Sequence, residues 1–147
     1  MNKLPIIFLL TFLLVSCQNK KPAKEIKVVN EVPASFDMYK TSEMAELMRT
    51  MLAKNKVLKE QIVNGEDIGH FNEAYLKIHT AKLTDSSDLD ETYPAFANHF
   101  IKAQKEIFAA SEKERAEKFN DVVDACIACH KDRCTGPIPR IEKLRIQ

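Results

Sequence analysis

Near the C-terminus lies Cys126-Ile127-Ala128-Cys129-His130, two thiols three residues apart followed at once by an imidazole. On a helix, residues three apart share a side, so both thiols can reach one ligand. Two thioether bonds to the vinyl groups of a single porphyrin use that spacing. The adjacent His130 can then place a ring nitrogen on the iron. C-x-x-C-H is the attachment signature of c-type haem. The expected site is one covalent haem c on Cys126 and Cys129, with His130 as the proximal iron ligand. Three other readings compete. A redox dithiol goes with a βαβ pattern, which this chain lacks. Cys126, Cys129, His130 and Cys134 offer a Cys3His zinc set, but nine residues of one helix crowd four ligands. Chance is the third.

The first residues bear on that choice. Lys3 precedes Leu4–Val15, apolar at ten of its twelve positions. That run is too short for a spanning helix, which needs about 20 residues, and suits a signal peptide. It ends in Leu14-Val15-Ser16-Cys17, which resembles the lipobox of bacterial lipoproteins, where cleavage precedes a Cys that is then lipidated. The alternative is ordinary signal cleavage that leaves Cys17 a free thiol. Residues 1–16 thus read as a lipoprotein signal peptide and 17–39 as a lipidated tether, with Pro22, Pro33 and mixed charges but no period. About 20 coil residues reach about 25 Å. Several acyl chains anchor stably where one does not. The expectation is a chain exported to the periplasmic side of a bacterial membrane and held there by lipid. Export favours haem c, which is attached outside the cytoplasm.

The chain has 147 residues, enough for one domain with a core. Its 22 basic residues face 21 acidic ones, and removing residues 1–16 leaves 21 of each. That balance provides no basic face for nucleic acid. Three glycines and no Trp argue against a β fold of many turns. No acid–base pair, nucleophile triad or phosphate-cradling glycine loop is present, so no enzyme is expected.

From residue 40 the apolar period is helical, and no segment alternates with period two. Helix A is expected over Ser42–Asn64, with Met44, Met48, Met51, Asn55, Leu58 and Ile62 on one line. Helix B is expected over Asp67–Leu83, with Ile68, Phe71, Tyr75 and Ile78 on one face. After the polar loop 84–91, helix C covers Thr92–Ala110 and buries Tyr93, Phe96, Ala97, Phe100, Ile101, Ile107 and Phe108. Helix D opens on Ser111-x-x-Glu114, a capping box, and runs to Arg133. Its inward face holds Phe119, Val122, Val123, Cys126, Cys129 and His130. Gly136, Pro137 and Pro139 are expected to end regular helix. The fold class is therefore all-α, an antiparallel four-helix bundle over residues 40–135, with haem on the last helix and a C-terminal tail, 136–147.

An exported four-helix chain with C-x-x-C-H near its C-terminus resembles the cytochrome c′ and c556 group. The likeness covers about residues 40–135 and rests on that one motif. The family carries Arg four residues after the haem His, whereas here Cys134 stands there and Arg133 precedes it. The resemblance implies that helix A lies over the distal haem face. A Met there makes a six-coordinate electron carrier, and an apolar residue makes a five-coordinate centre binding NO or CO. Counting back from the helix-ending glycine falls closest to Met48, with Met51 and Met44 as weaker candidates. At least two of the three must be core fillers. His79 is a minor candidate near the haem edge, more simply a partly buried side chain. His70 and His99 read as solvated. Cys134 reads as a small buried residue, with an intermolecular disulfide or redox role as the alternative.

The function expected is a membrane-tethered monohaem c-type cytochrome moving single electrons to and from redox partner proteins at the membrane surface. The alternative is a gas-binding cytochrome c′-like protein, and a homodimer is compatible with either. A haem-free structural lipoprotein is the third reading. Cys17→Ser is expected to move the protein out of the membrane fraction or block its processing. A wild-type mature N-terminus anywhere but Cys17, read by mass spectrometry, contradicts the lipid anchor.

Overall fold

The computed structural model describes residues 40–147, which belong to one compact unit. Residues 1–39, on which the expected signal peptide, Cys17 and the expected tether fall, lie outside the described residues. Every regular element among the described residues is helical. There are three long helices, α1 (Glu43–Asn64), α2 (Tyr93–Ala109) and α3 (Arg115–Arg133), and a short α4 (Ile138–Glu142). Two 3-10 segments, Glu73–His79 and Ser86–Asp88, lie between α1 and α2.

Helix α1 begins where its sequence says it should. The Ser42 hydroxyl accepts the Ala45 N–H at 3.1 Å, satisfying one of the orphan donors of the first turn. It stops at Gly65, whose φ of +68° is left-handed. The Gly65 N–H returns to Ile62 O and the Glu66 N–H to Gln61 O, a Schellman closure that favours glycine. A β-carbon there would also meet the Glu112 carboxylate at 3.3 Å.

The expected helix B is not a helix of that length. Residues 67–72 are extended or turned, and a 3-10 segment covers only Glu73–His79. The Asp67 carboxylate accepts the Gly69 N–H at 2.9 Å, and Gly69 takes φ +66°. The Asn72 side chain then accepts the Ala74 N–H at 3.1 Å. These short-range bonds compete with helix for the same backbone donors. The apolar face is still the one expected, for Ile68, Phe71, Tyr75 and Ile78 are all buried. Tyr75 and Ile78, three apart, eclipse on the 3-10 segment, while Ile68 and Phe71 are buried from the irregular stretch before it.

The C-terminal tail also departs from expectation. Pro137 is the N-cap of α4 and Pro139 lies in its first turn, where a missing N–H leaves no bond unmade. Ile141 and Leu144 are buried in the common core. Asn120 of α3 exchanges two hydrogen bonds with the Ile146 backbone, both 2.9 Å, and Arg145 pairs with Asp124. The Lys59 ammonium of α1 donates to the carbonyls of Lys143 at 3.1 Å and Arg145 at 2.7 Å. Residues 136–147 thus form part of the domain.

Helix α3 packs mainly along α2, and also meets α1 and α4. Its turn at Ser111–Glu114 precedes the helix, and the Glu114 carboxylate accepts both the Ser111 N–H and hydroxyl. Phe119, Val122 and Val123 of α3 meet Ile107 of α2 at the fully buried centre. One polar pair enters this core. Gln104 Nε2 donates to Asn55 Oδ1 at 2.7 Å, and Asn55 Nδ2 to Met51 O at 2.9 Å.

If the tail belongs to the core, Leu144→Ala is expected to destabilise the domain by about 2–5 kcal/mol. Leu89→Ala, at a side chain 58% exposed, should change stability by about 0.5 kcal/mol or less. Equal unfolding midpoints for the two variants would show that the tail only rests on the surface.

Candidate cofactor site

The three residues of the C-x-x-C-H motif line one cavity of about 390 Å³, within the size range of cofactor pockets. Helix α3 supplies them from its last two turns. Helix α1 supplies Met44, Met48 and Met51 to the same cavity. Ile78, Leu83, Tyr93 and Ala97 extend the wall, and Ile141 and Leu144 of the tail complete it. The wall is chiefly apolar, so charge placed inside is weakly screened.

His130 is held by the end of its own helix. Its Nδ1 lies 2.9 Å from the Cys134 carbonyl. A carbonyl only accepts, so Nδ1 carries a proton, and Nε2 is the ring nitrogen left to meet a metal. Such a bond sets the tautomer and aim of a metal-ligating imidazole. The carbonyl is available because α3 stops at Cys134, whose N–H makes the last helical bond to His130 O at 3.0 Å.

The two motif thiols are neutral in this setting. Burial, with the neighbouring Cys129 adding to it, pushes the Cys126 thiol up to about 12. Burial also raises the Cys129 thiol, opposed by the Arg133 guanidinium. Cys134 is exposed, which corrects its reading as a small buried residue. Helix α3 has ended there, and the residue contributes its carbonyl rather than a packed side chain.

The methionines differ in setting. Met44 and Met51 are buried, whereas Met48 is half-buried against the core. The Tyr93 hydroxyl donates to Ile78 O at 2.7 Å and lies 3.9 Å from the Met44 sulfur. His79 is exposed and absent from the cavity wall, which corrects its placement as a partly buried group. The 3-10 winding turns it outward. His70 and His99 are exposed as well.

Arg133 was not foreseen as a site residue. Its side chain is only 7% exposed and pairs with Asp90 and Asp132, both at 2.6 Å. It donates to Asp88 O and Thr92 Oγ1 and lies over the rings of Tyr93 and Phe96. The guanidinium therefore joins the end of α3 to the loop before α2, beside the motif. Nothing in its sequence spacing signals this. The tail residues did carry a signal, since Ile138, Ile141 and Leu144 recur every third position.

The donor set suits haem c. Two thiols, an imidazole with a free Nε2 and thioethers from a second helix face one apolar space. Among the described residues, no three His, Cys, Asp or Glu side chains converge to hold an ion. The Cys3His set of the zinc alternative is therefore not assembled.

In the folded, haem-free full chain, iodoacetamide at about pH 8 should label Cys134 first and Cys126 last, with denaturant removing the difference. Peptide mass spectrometry reads the order, and Cys126 labelling as fast as Cys134 would contradict its burial. The unfolded chain ionises this thiol first, at about pH 8.5. This contribution to stability is therefore lost as pH rises from there toward about 12. No protein-family model matches the chain, and no curated protein or solved structure matches it.

Proposed function

We propose that this protein is a membrane-tethered monohaem c-type cytochrome that carries electrons one at a time and is not an enzyme. The observation that carries the reading is the shared cavity. Cys126, Cys129 and His130 of α3 meet Met44, Met48 and Met51 of α1 in one apolar space. In this reading the domain is a bundle of the cytochrome c′ and c556 kind, with the tail as an added wall.

Bound haem supplies one-electron redox chemistry at iron. Cys126 and Cys129 would hold the porphyrin through thioethers, and His130 would offer Nε2 while its Nδ1–H donates to the Cys134 carbonyl. A Met thioether from α1, with the imidazole, would favour ferrous iron and raise the potential. Met48 is the proposed donor. Met44 and Met51 are buried more deeply among core side chains, the setting of a filler. The apolar wall keeps water from the iron, and the lipid on Cys17 keeps the domain near redox partners at the membrane surface.

An absorption spectrum of protein made with a haem c maturation system tests this. The wild type is expected to be low-spin, with a weak near-infrared band from Met to ferric iron. Cys126→Ala/Cys129→Ala should abolish haem staining on a denaturing gel. Met48→Ala should remove the near-infrared band, lower the potential and admit CO, whereas Met44→Ala should only loosen packing. Circular dichroism must show each variant folded, since core truncation alone can cost about 2–5 kcal/mol. A high-spin wild type that binds CO readily would replace the carrier with the NO- or CO-binding reading. A wild type without haem stain would end both.

A further inference from the structure

The cavity carries positive charge that its own wall does not neutralise. Three arginines line it, Arg49 from α1, Arg133 from α3 and Arg140 from α4, against one carboxylate, Asp88. Arg133 is already occupied by Asp90, Asp132 and two aromatic rings. The other two are not. Among the described residues, Arg49 donates only to the neutral Thr41 hydroxyl, at 3.1 Å, and Arg140 pairs with no carboxylate. Both side chains are exposed and reach the cavity from its solvent side. Free guanidinium groups beside an apolar space match an occupant with an apolar body and anionic ends. Guanidinium binds carboxylate in paired, charge-assisted hydrogen bonds.

We infer that Arg49 and Arg140 bind the two carboxylates of the porphyrin, and that the C-terminal segment is thereby a working part of the cofactor site. The inference rests on the haem reading and adds to it the residues that set the ring's orientation. The tail is well placed for this task. Leu144 and Ile141 fix it in the core, while Asn120, Asp124 and Lys59 hold its last residues. Arg140 lies on the exposed side of the same short helix. A guanidinium on an anchored segment loses less freedom on binding than one on a loose tail.

The test separates this assignment from the haem reading. The full-length C126A/C129A chain, with helix content verified by circular dichroism, is titrated with iron protoporphyrin and with its dimethyl ester. The free acid is expected to bind about tenfold more tightly, the effect of about one charged hydrogen bond. R49Q/R140Q should erase that preference and leave ester binding unchanged. Equal binding of acid and ester overturns the arginine assignment and leaves the haem reading intact. A wild-type chain that takes up no haem overturns both. A second measurement on the covalent holoprotein does not depend on the thiol variant folding. R140Q should lower the midpoint potential, because the lost cation had opposed the extra positive charge of ferric iron, and R140K should restore it. A potential unchanged in R140Q overturns the role of Arg140.

Discussion

Helix α3 has to serve two environments along one side, and the rest of the domain follows from that constraint. Phe119, Val122 and Val123 are fully buried against α2. The next turns of the same side bring Cys126, Cys129, His130 and Arg133 to the cavity. At 3.6 residues per turn, the first half of the helix is locked by packing while the second half stays open to a ligand. Helix α1, the loop before α2 and the tail then close around that open half. A single helix so fixed holds reactive groups more narrowly than a loop would.

Polar contacts set the register of this closure. Asn55 is only 2% exposed and Gln104 fully buried, so their mutual hydrogen bond joins α1 to α2 at one relative height. A slip along either helix would bury two amides unpaired, at about 1–3 kcal/mol each. Glu43 and Thr84 act similarly at the other end. The Glu43 carboxylate accepts the Lys82 N–H at 3.1 Å, the Lys82 carbonyl accepts the Met44 N–H at 3.0 Å, and Thr84 meets Ser42 at 2.8 Å. The loop that brings Leu83 and Thr84 to the cavity rim is thus tied to the start of α1, one turn before Met48.

The loop 85–92 is organised by its own carboxylates. Asp85 accepts from Ser87, and Asp90 from Thr92 and Tyr93. The hydrogen bonds from Ser87 hold the Asp85 carboxyl below the usual carboxylate range, and those from Thr92 do the same for Asp90. Arg133 then binds Asp90 and the Asp88 carbonyl. A polar stretch without apolar period becomes a fixed rim, and Arg133 of that clasp lines the same cavity as Cys126, Cys129 and His130.

Much of this was legible from residue order. The C-x-x-C-H spacing and the apolar lines of α1, α2 and α3 are local patterns, and helical geometry converts them into faces without further information. Five of the six residues on the α1 line are apolar, and the sixth, Asn55, is buried beside them through a partner forty-nine positions away. Local pattern could not decide the region 67–83, because Asp67 and Asn72 offered side-chain acceptors that outcompeted helix for nearby N–H groups. Nor could it decide the tail, where prolines that forbid a helix interior instead start one. The partners of Arg133, the burial of Ile141 and Leu144 and the joining of two arginines to one cavity are long-range facts. They exist only when segments far apart in sequence pack together, since an isolated five-residue helix or a lone guanidinium has no burial to stabilise it.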